Sequence, residues 1–128
     1  MAERLVLDAS ALVDVLLAND AGARVVDRIS GYEINAPAHL DAEVISTLAR
    51  LVRGGLLSET QIDERLEHLT RMPIARHDLP PLLAGAWSMH QNLRILDALY
   101  VELAGRLDTI VLTTDRRLAR AHRRAEAA

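Results

Sequence analysis

The sequence predicts an α/β fold: a three-layer α/β/α sandwich with a central parallel sheet of four or five strands, in a single domain spanning residues 1–128. Three observations predict it. Short apolar runs alternate with segments of helical period along the chain, the order that gives parallel strands covered on both faces. No internal repeat, low-complexity tract or linker interrupts them, and 128 residues suit one core of ordinary size. Acidic residues stand where predicted strands stop and helices start, the edge at which open α/β sheets bind ligands.

The elements follow in order. Arg4 to Asp8, with Leu5-Val6-Leu7 at its heart, reads as a buried strand. Apolar helices run from about Ser10 to Ala18 and from about Ala21 to Ser30. Glu33 to Ala36 is a short strand ended by Pro37. From His39 to Arg53 the period is helical, with Val44, Ile45, Leu48, Ala49, Leu51 and Val52 on one side, and Gly54-Gly55 stops it. Ser58-Glu59-Thr60-Gln61 has the spacing of a capping box and opens a helix to about Thr70. Met72 to Arg76 reads as a strand, Pro80 to Gln91 as a helix, Asp97 to Arg106 as a helix, Thr109 to Thr113 as a strand and Asp115 to Ala125 as a closing helix. Leu93-Arg94-Ile95-Leu96 makes a poor strand and the chain closes in a helix, which leaves four strands unless an edge strand is added.

Composition removes several function classes. No segment approaches the roughly 18 apolar residues of a membrane span, and Asp8 breaks the first apolar run too early for a signal peptide, so a cytoplasmic location is expected. The absence of cysteine excludes a disulfide framework, a thiolate metal site and thiol catalysis. All 15 basic residues are Arg. Without Lys there is no phosphate-binding P-loop and no Schiff-base chemistry.

Four acids are the candidate site. Asp8 ends the first strand, Asp97 stands to cap the helix that opens with Ala98-Leu99-Tyr100, and Asp115 follows the strand ending at Thr113. Glu43 falls on the polar side of its helix with Thr47 and Arg50. Each alone reads equally well as a helix cap or a solvated residue; three separate Asp-bearing junctions favour a shared site. Clustered carboxylates repel, so at least one should hold its proton unusually well unless a cation joins them. Mg²⁺ or Mn²⁺ would relieve the repulsion, and a pair of such ions can activate water and stabilise a leaving oxygen at phosphorus. Hydrolysis of a phosphodiester suits the arrangement best.

The stretches Val6-Leu7-Asp8-Ala9-Ser10-Ala11-Leu12, Pro37-Ala38-His39-Leu40-Asp41-Ala42-Glu43-Val44, Asp97-Ala98-Leu99-Tyr100-Val101-Glu102-Leu103-Ala104 and Leu112-Thr113-Thr114-Asp115-Arg116-Arg117-Leu118 resemble, in order, the motifs of PIN-domain ribonucleases. More narrowly the chain resembles VapC toxins of bacterial toxin–antitoxin pairs. The resemblance implies a Mg²⁺- or Mn²⁺-dependent endoribonuclease, a homodimer, and neutralisation by a small VapB-type antitoxin whose tail can occupy the site. Asp8, Glu43, Asp97 and Asp115 match the family's acidic quartet, which would hold the metal and carry catalysis. Ser10 and Thr113 match its hydroxyl positions; here they would orient a carboxylate or a water, although turn and cap roles suit them as well.

RNA must approach an acidic site, so positive charge is needed beside it. Projected as one helix, Arg116, Arg117, Arg120, Arg123 and Arg124 fall within about 120° of arc and form an arginine stripe suited to phosphate, or simply a solvated face. Arg116, Arg117 and Arg120 are the candidates for substrate contact, with Arg50 and Arg53 behind them. His39, His68, His77, His90 and His122 show no paired metal-ligand spacing and read as packing or surface residues. Trp87 and Met89 read as core or dimer interface, and Asp14, Asp41 and Asp78 as spare acids, one of which could serve a second metal. Two other classes stay open. A non-catalytic RNA- or protein-binding module would keep the fold without the chemistry, and a phosphohydrolase would use Asp8 as nucleophile, although Ser10 stands where a second Asp is expected.

Overall fold

Strand β1 (Arg4–Leu7) lies at the centre of a five-stranded parallel sheet, in a computed structural model that describes residues 2–128. On one side β2 (Glu33–Pro37) and then β3 (Ile74–His77) follow it; on the other, β4 (Val111–Thr113) and then β5 (Ala125–Ala127). Leu5, Val6 and Leu7 are all buried, because a central strand covered on both faces has no solvent side to alternate toward. Register is fixed by Arg4 opposite Glu33 on the β2 side and by Val6 opposite Val111 on the β4 side.

Helices α1 (Ala9–Leu17) and α2 (Asp20–Ile29) lead from β1 to β2, and α3 (Leu40–Arg53) and α4 (Glu59–Arg71) lead from β2 to β3. A 3-10 turn (Pro80–Leu82), α5 (Leu83–Trp87) and α6 (Ile95–Arg106) lead back to β4, and α7 (Arg116–Ala121) leads to β5. Parallel crossovers are right-handed, so steps in opposite directions across the sheet put α1–α4 on one face and α5–α7 on the other. These are the three layers. The direction of travel reverses between β1 and β4, and the crevice beyond their carboxyl ends is where such sheets bind ligands.

Local chemistry fixes the helix starts. Ser58 accepts from the Gln61 backbone N–H at 3.2 Å while Gln61 Oε1 accepts from the Ser58 N–H at 2.9 Å, the reciprocal pair its spacing predicts. Asn19 caps α2 through a 2.8 Å bond from the Gly22 N–H. Val44 and Leu48 of α3 reach the core, whereas Ile45, placed on the same apolar side by periodicity, is half exposed. No helix among the described residues is long and apolar enough to cross a membrane.

Three expectations need correction. The closing helix ends at Ala121, not Ala125, and residues 125–127 form the edge strand β5, so the sheet has five strands. Backbone pairing is the cause: Val111 N–H donates to the Arg124 carbonyl at 2.7 Å and Ala128 N–H to the Thr113 carbonyl at 3.0 Å, which closes the open edge of β4. The helix expected over 80–91 is a 3-10 turn and five helical residues, followed by turns. Finally, α6 opens at Ile95 behind Arg94, so Asp97 lies inside its first turn and does not cap it.

Candidate active site

Asp8 leaves β1 in extended conformation (φ −88°, ψ 171°) and caps α1, its Oδ1 accepting from the Ala11 N–H at 3.0 Å. Its own N–H donates to the Leu112 carbonyl at 3.3 Å, which ties the end of β1 to β4. Thr113 Oγ1 then donates to Asp8 Oδ2 at 2.7 Å, and Ser10 Oγ donates to Oδ1 at 2.8 Å. Thr113 Oγ1 also accepts from the Asp115 N–H at 2.9 Å, so one hydroxyl orders the first and last acids. Asp115 caps α7 by accepting from the Arg117 N–H at 2.9 Å.

Glu43 comes from the other side of the cavity, in the first turn of α3. Its Oε1 accepts from the buried Tyr100 hydroxyl at 2.7 Å and lies 3.2 Å from His39 Nε2. Tyr100 follows Asp97 by one turn of α6, so both face the same space. Asp8, Glu43, Asp97 and Asp115 together line one cavity of about 690 Å³, with Ser10, His39, Arg50, Arg94 and Tyr100 in its wall. The structure brings all four predicted acids together at the strand-order reversal.

Their environments differ. Burial pushes Asp8 up to about 6, against the pull of the Ala11, Thr113 and Ser10 hydrogen bonds, and the charge of Asp97 adds to the rise. Asp97 is also raised, by burial first; Arg94 opposes the rise, while Asp115 and Glu43 add to it. Burial pushes Glu43 upward too, but the His39 and Tyr100 hydrogen bonds and the charge of Arg94 outweigh it and hold Glu43 below its ordinary value. Burial and the Glu43 charge push the Tyr100 hydroxyl far up, so it stays protonated and acts as a donor.

The basic residues fall differently from the expected stripe. The helix ends before Arg123, and Arg124 turns to the opposite end of β4, donating to the Thr109 carbonyl at 2.9 Å. Arg117 does approach the acids, 3.8 Å from Asp115 Oδ2, and lines a small pocket with Arg94 and Asp97. Arg116 and Arg120 are exposed and are not in the cavity wall. Arg94, Tyr100 and His39 were missed in sequence, yet His39 precedes Glu43 by four residues and Tyr100 follows Asp97 by three, spacings that put each pair on one helix face. Asp14 lines the cavity, whereas Asp41 is held by Arg76 at 2.7 and 2.8 Å and Asp78 is exposed. Trp87 is 63% exposed and stacks on His90, so it is not core. His122 stands at the end of α7, where its Nδ1 accepts from the Arg124 N–H at 3.0 Å.

This sheet order with acids at the β1/β4 reversal defines a class, and the PIN domain family model matches residues 5–124: the chain belongs to the PIN-domain family. Within it the chain falls in the VapC group. It is 50% identical over 120 residues to Ribonuclease VapC3 of Mycobacterium tuberculosis, covering 93% of this chain and 88% of that one. It is 40% identical over 121 residues to Ribonuclease VapC1 of the same organism, covering 93% and 91%. The fold matches the crystal structure of PAE2754 from Pyrobaculum aerophilum with a TM-score of 0.74, at 21% identity over 99% of this chain and 85% of that one.

Proposed function

We propose that this protein is a Mg²⁺- or Mn²⁺-dependent endoribonuclease and acts as the toxin of a VapBC-type pair. The observation that carries the reading is four acids from separate elements lining one cavity, two of them, Asp8 and Asp97, driven toward their protonated forms by burial and by the charge of neighbouring acids. The VapC relatives carry the name ribonuclease, which supports RNA as substrate.

The donor set fits a hard divalent cation, being all carboxylate oxygen. No group of three or more His, Asp or Glu side chains among the described residues is gathered closely enough to hold an ion as they stand. That is compatible with Mg²⁺, which keeps much of its water and needs one or two carboxylates. Asp8, Glu43, Asp97 and Asp115 would hold the ion, directly or through its water. Bound there, it would supply charge neutralisation and a more acidic water for attack at phosphorus.

The chain's own residues do the rest. Ser10 and Thr113 aim Asp8 and oppose the rise that burial imposes on it, and Tyr100 and His39 hold Glu43 ionised. Arg94 and Arg117 flank Asp97 while Arg50 stands in the α3 wall, so guanidinium groups border the acidic floor and would take RNA phosphates. Arg116 and Arg120 would extend that contact along α7. No side chain is needed as nucleophile, since water attacks. The partner would be a VapB-type antitoxin, for which the apolar groove between α3 and α4, lined by Ile45, Leu48, Val52, Ile62 and Leu66, suits an apolar tail. A homodimer would cover exposed Leu83 and Trp87.

The test is cleavage of labelled total RNA with Mg²⁺, with Mn²⁺ and with excess chelator, beside Asp97→Asn. Discrete cuts that need the ion and vanish in the variant are expected. Wild type and variant behaving alike would return the protein to the non-catalytic binding class.

A further inference from the structure

His39 lies in the cavity wall beside Glu43. It immediately precedes α3 but makes no capping bond with its side chain. Its imidazole instead lies folded inward, with 10% of the side chain exposed, against the Tyr100 ring at a centroid distance of 4.8 Å. Nε2 is 3.0 Å from the Leu96 carbonyl and 3.2 Å from Glu43 Oε1. Both neighbours are acceptors, so Nε2 carries the hydrogen. Nδ1 is buried with no hydrogen-bond partner among the described residues, so the ring meets polar groups through Nε2 alone.

That single N–H reaches two elements at once. Glu43 belongs to α3, and Leu96 is the residue before Asp97 in the first turn of α6. A phenylalanine would fill the same space against Tyr100 and leave no orphaned nitrogen, so packing favours an apolar ring and only the donor favours His. The Tyr100 hydrogen bond and the His39 contact both fall on Oε1.

We propose that His39 is a positioning residue, whose Nε2–H holds the Glu43 carboxylate at a set separation from the Asp97 turn so that the two acids meet one divalent cation together. The inference rests on the metal-dependent ribonuclease reading. His39 touches neither substrate nor ion; it acts through Glu43.

The experiment compares His39→Phe, which keeps the ring, with His39→Gln, which restores an N–H near the Nε2 position. Each is made in the wild-type and Glu43→Gln backgrounds. Mn²⁺ affinity is read from the electron paramagnetic resonance of the free ion, folding from urea unfolding, and turnover from kcat and KM on RNA. His39→Phe is expected to fold, to bind Mn²⁺ about tenfold more weakly and to lose kcat by a similar factor with KM for RNA unchanged. His39→Gln recovers most of both, and in the Glu43→Gln background His39→Phe changes Mn²⁺ affinity by less than about twofold. A folded His39→Phe that binds Mn²⁺ like wild type overturns the proposal, as does an equal loss in the Glu43→Gln background. Should His39→Phe not fold, His39→Gln decides: near-wild-type affinity supports the proposal, and a folded protein with the affinity lost overturns it. Wild type that neither binds Mn²⁺ nor cuts RNA marks failure of the ribonuclease reading itself, and the inference falls with it.

Discussion

Tyr100 donates its hydroxyl hydrogen to Glu43 at 2.7 Å, joining α6 to α3 across the floor of the acidic cavity. The hydroxyl is buried and its acceptor is ionised, the combination in which a hydrogen bond contributes most. Tyr100→Phe should lower stability by about 1.5–3 kcal/mol, measured by urea unfolding. It should also let the side chain of Glu43 move, weakening Mn²⁺ binding while leaving RNA binding in chelator unchanged.

Asp97→Asn should abolish cleavage and yet stabilise the metal-free protein. Asp97 is raised by burial and by the neighbouring Asp115 and Glu43, and its own charge raises Asp8. Neutralising it removes both repulsions. Thermal unfolding in chelator should therefore occur at a higher temperature for the variant, and added Mg²⁺ should raise the melting temperature of wild type much more than that of the variant. A variant less stable than wild type in chelator would sink the repulsion argument.

Stability of the metal-free protein should fall as pH rises from about 4 to about 6. Asp8 binds its proton up to about 6 in the folded chain, against an ordinary value of 3.8, so between those values the folded state holds a proton that the unfolded state has released. Stability contributed by that proton is present at low pH and gone above about 6, a loss of about 3 kcal/mol at 1.36 kcal/mol per pKa unit. Glu43 has the opposite sign, its contribution being present above 4.5 and lost below it. Comparing pH 5 with pH 7.5 leaves Glu43 out; Asp97, also raised, adds to the fall, whereas His122, lowered by burial and by Arg123 and Arg124, opposes it. Urea unfolding in chelator should show wild type weaker at pH 7.5, with the difference clearly reduced in Asp8→Asn.

Thr113→Val keeps the shape of a fully buried side chain but deletes the donor to Asp8 and the acceptor for the Asp115 N–H. A cost of about 1–3 kcal/mol is expected, since the buried Asp8 carboxylate loses a donor and a partly buried N–H is left unmet. Ser10→Ala, at a partly exposed position, should cost less. Equal losses in the two would mean that Thr113 matters only as one more hydroxyl beside Asp8.

Arg50→Ala and Arg94→Ala should each reduce the slope of log affinity against log salt for single-stranded RNA by about 0.7, measured in the Asp97→Asn background. Arg124→Ala should leave that slope alone, because its guanidinium is engaged at the far end of β4.

The readable parts of this chain were those in which local and tertiary preferences agree. Leu5-Val6-Leu7 is buried on both faces and appears as an uninterrupted apolar run, and Ser58 with Gln61 carries its cap in its spacing. Asp8 and Asp115 were legible because each ends a strand and caps a helix. Ala125 to Ala127 was not: alanine and glutamate favour helix, and only the unpaired edge of β4 draws them into a strand. That same edge removed Arg123 and Arg124 from the arginine face. His39 and Tyr100 were only partly legible: their spacings to Glu43 and Asp97 are present in the sequence, but the bond from Tyr100 to Glu43 exists only when α3 and α6 are laid side by side.

The bond from Thr113 to Asp8 spans 105 positions of sequence. A piece of the chain that lacks β4 therefore carries Asp8 without the hydroxyl that aims it and without Asp115 beside it, so the first acid is set in place by the far half of the fold and not by its own neighbours alone.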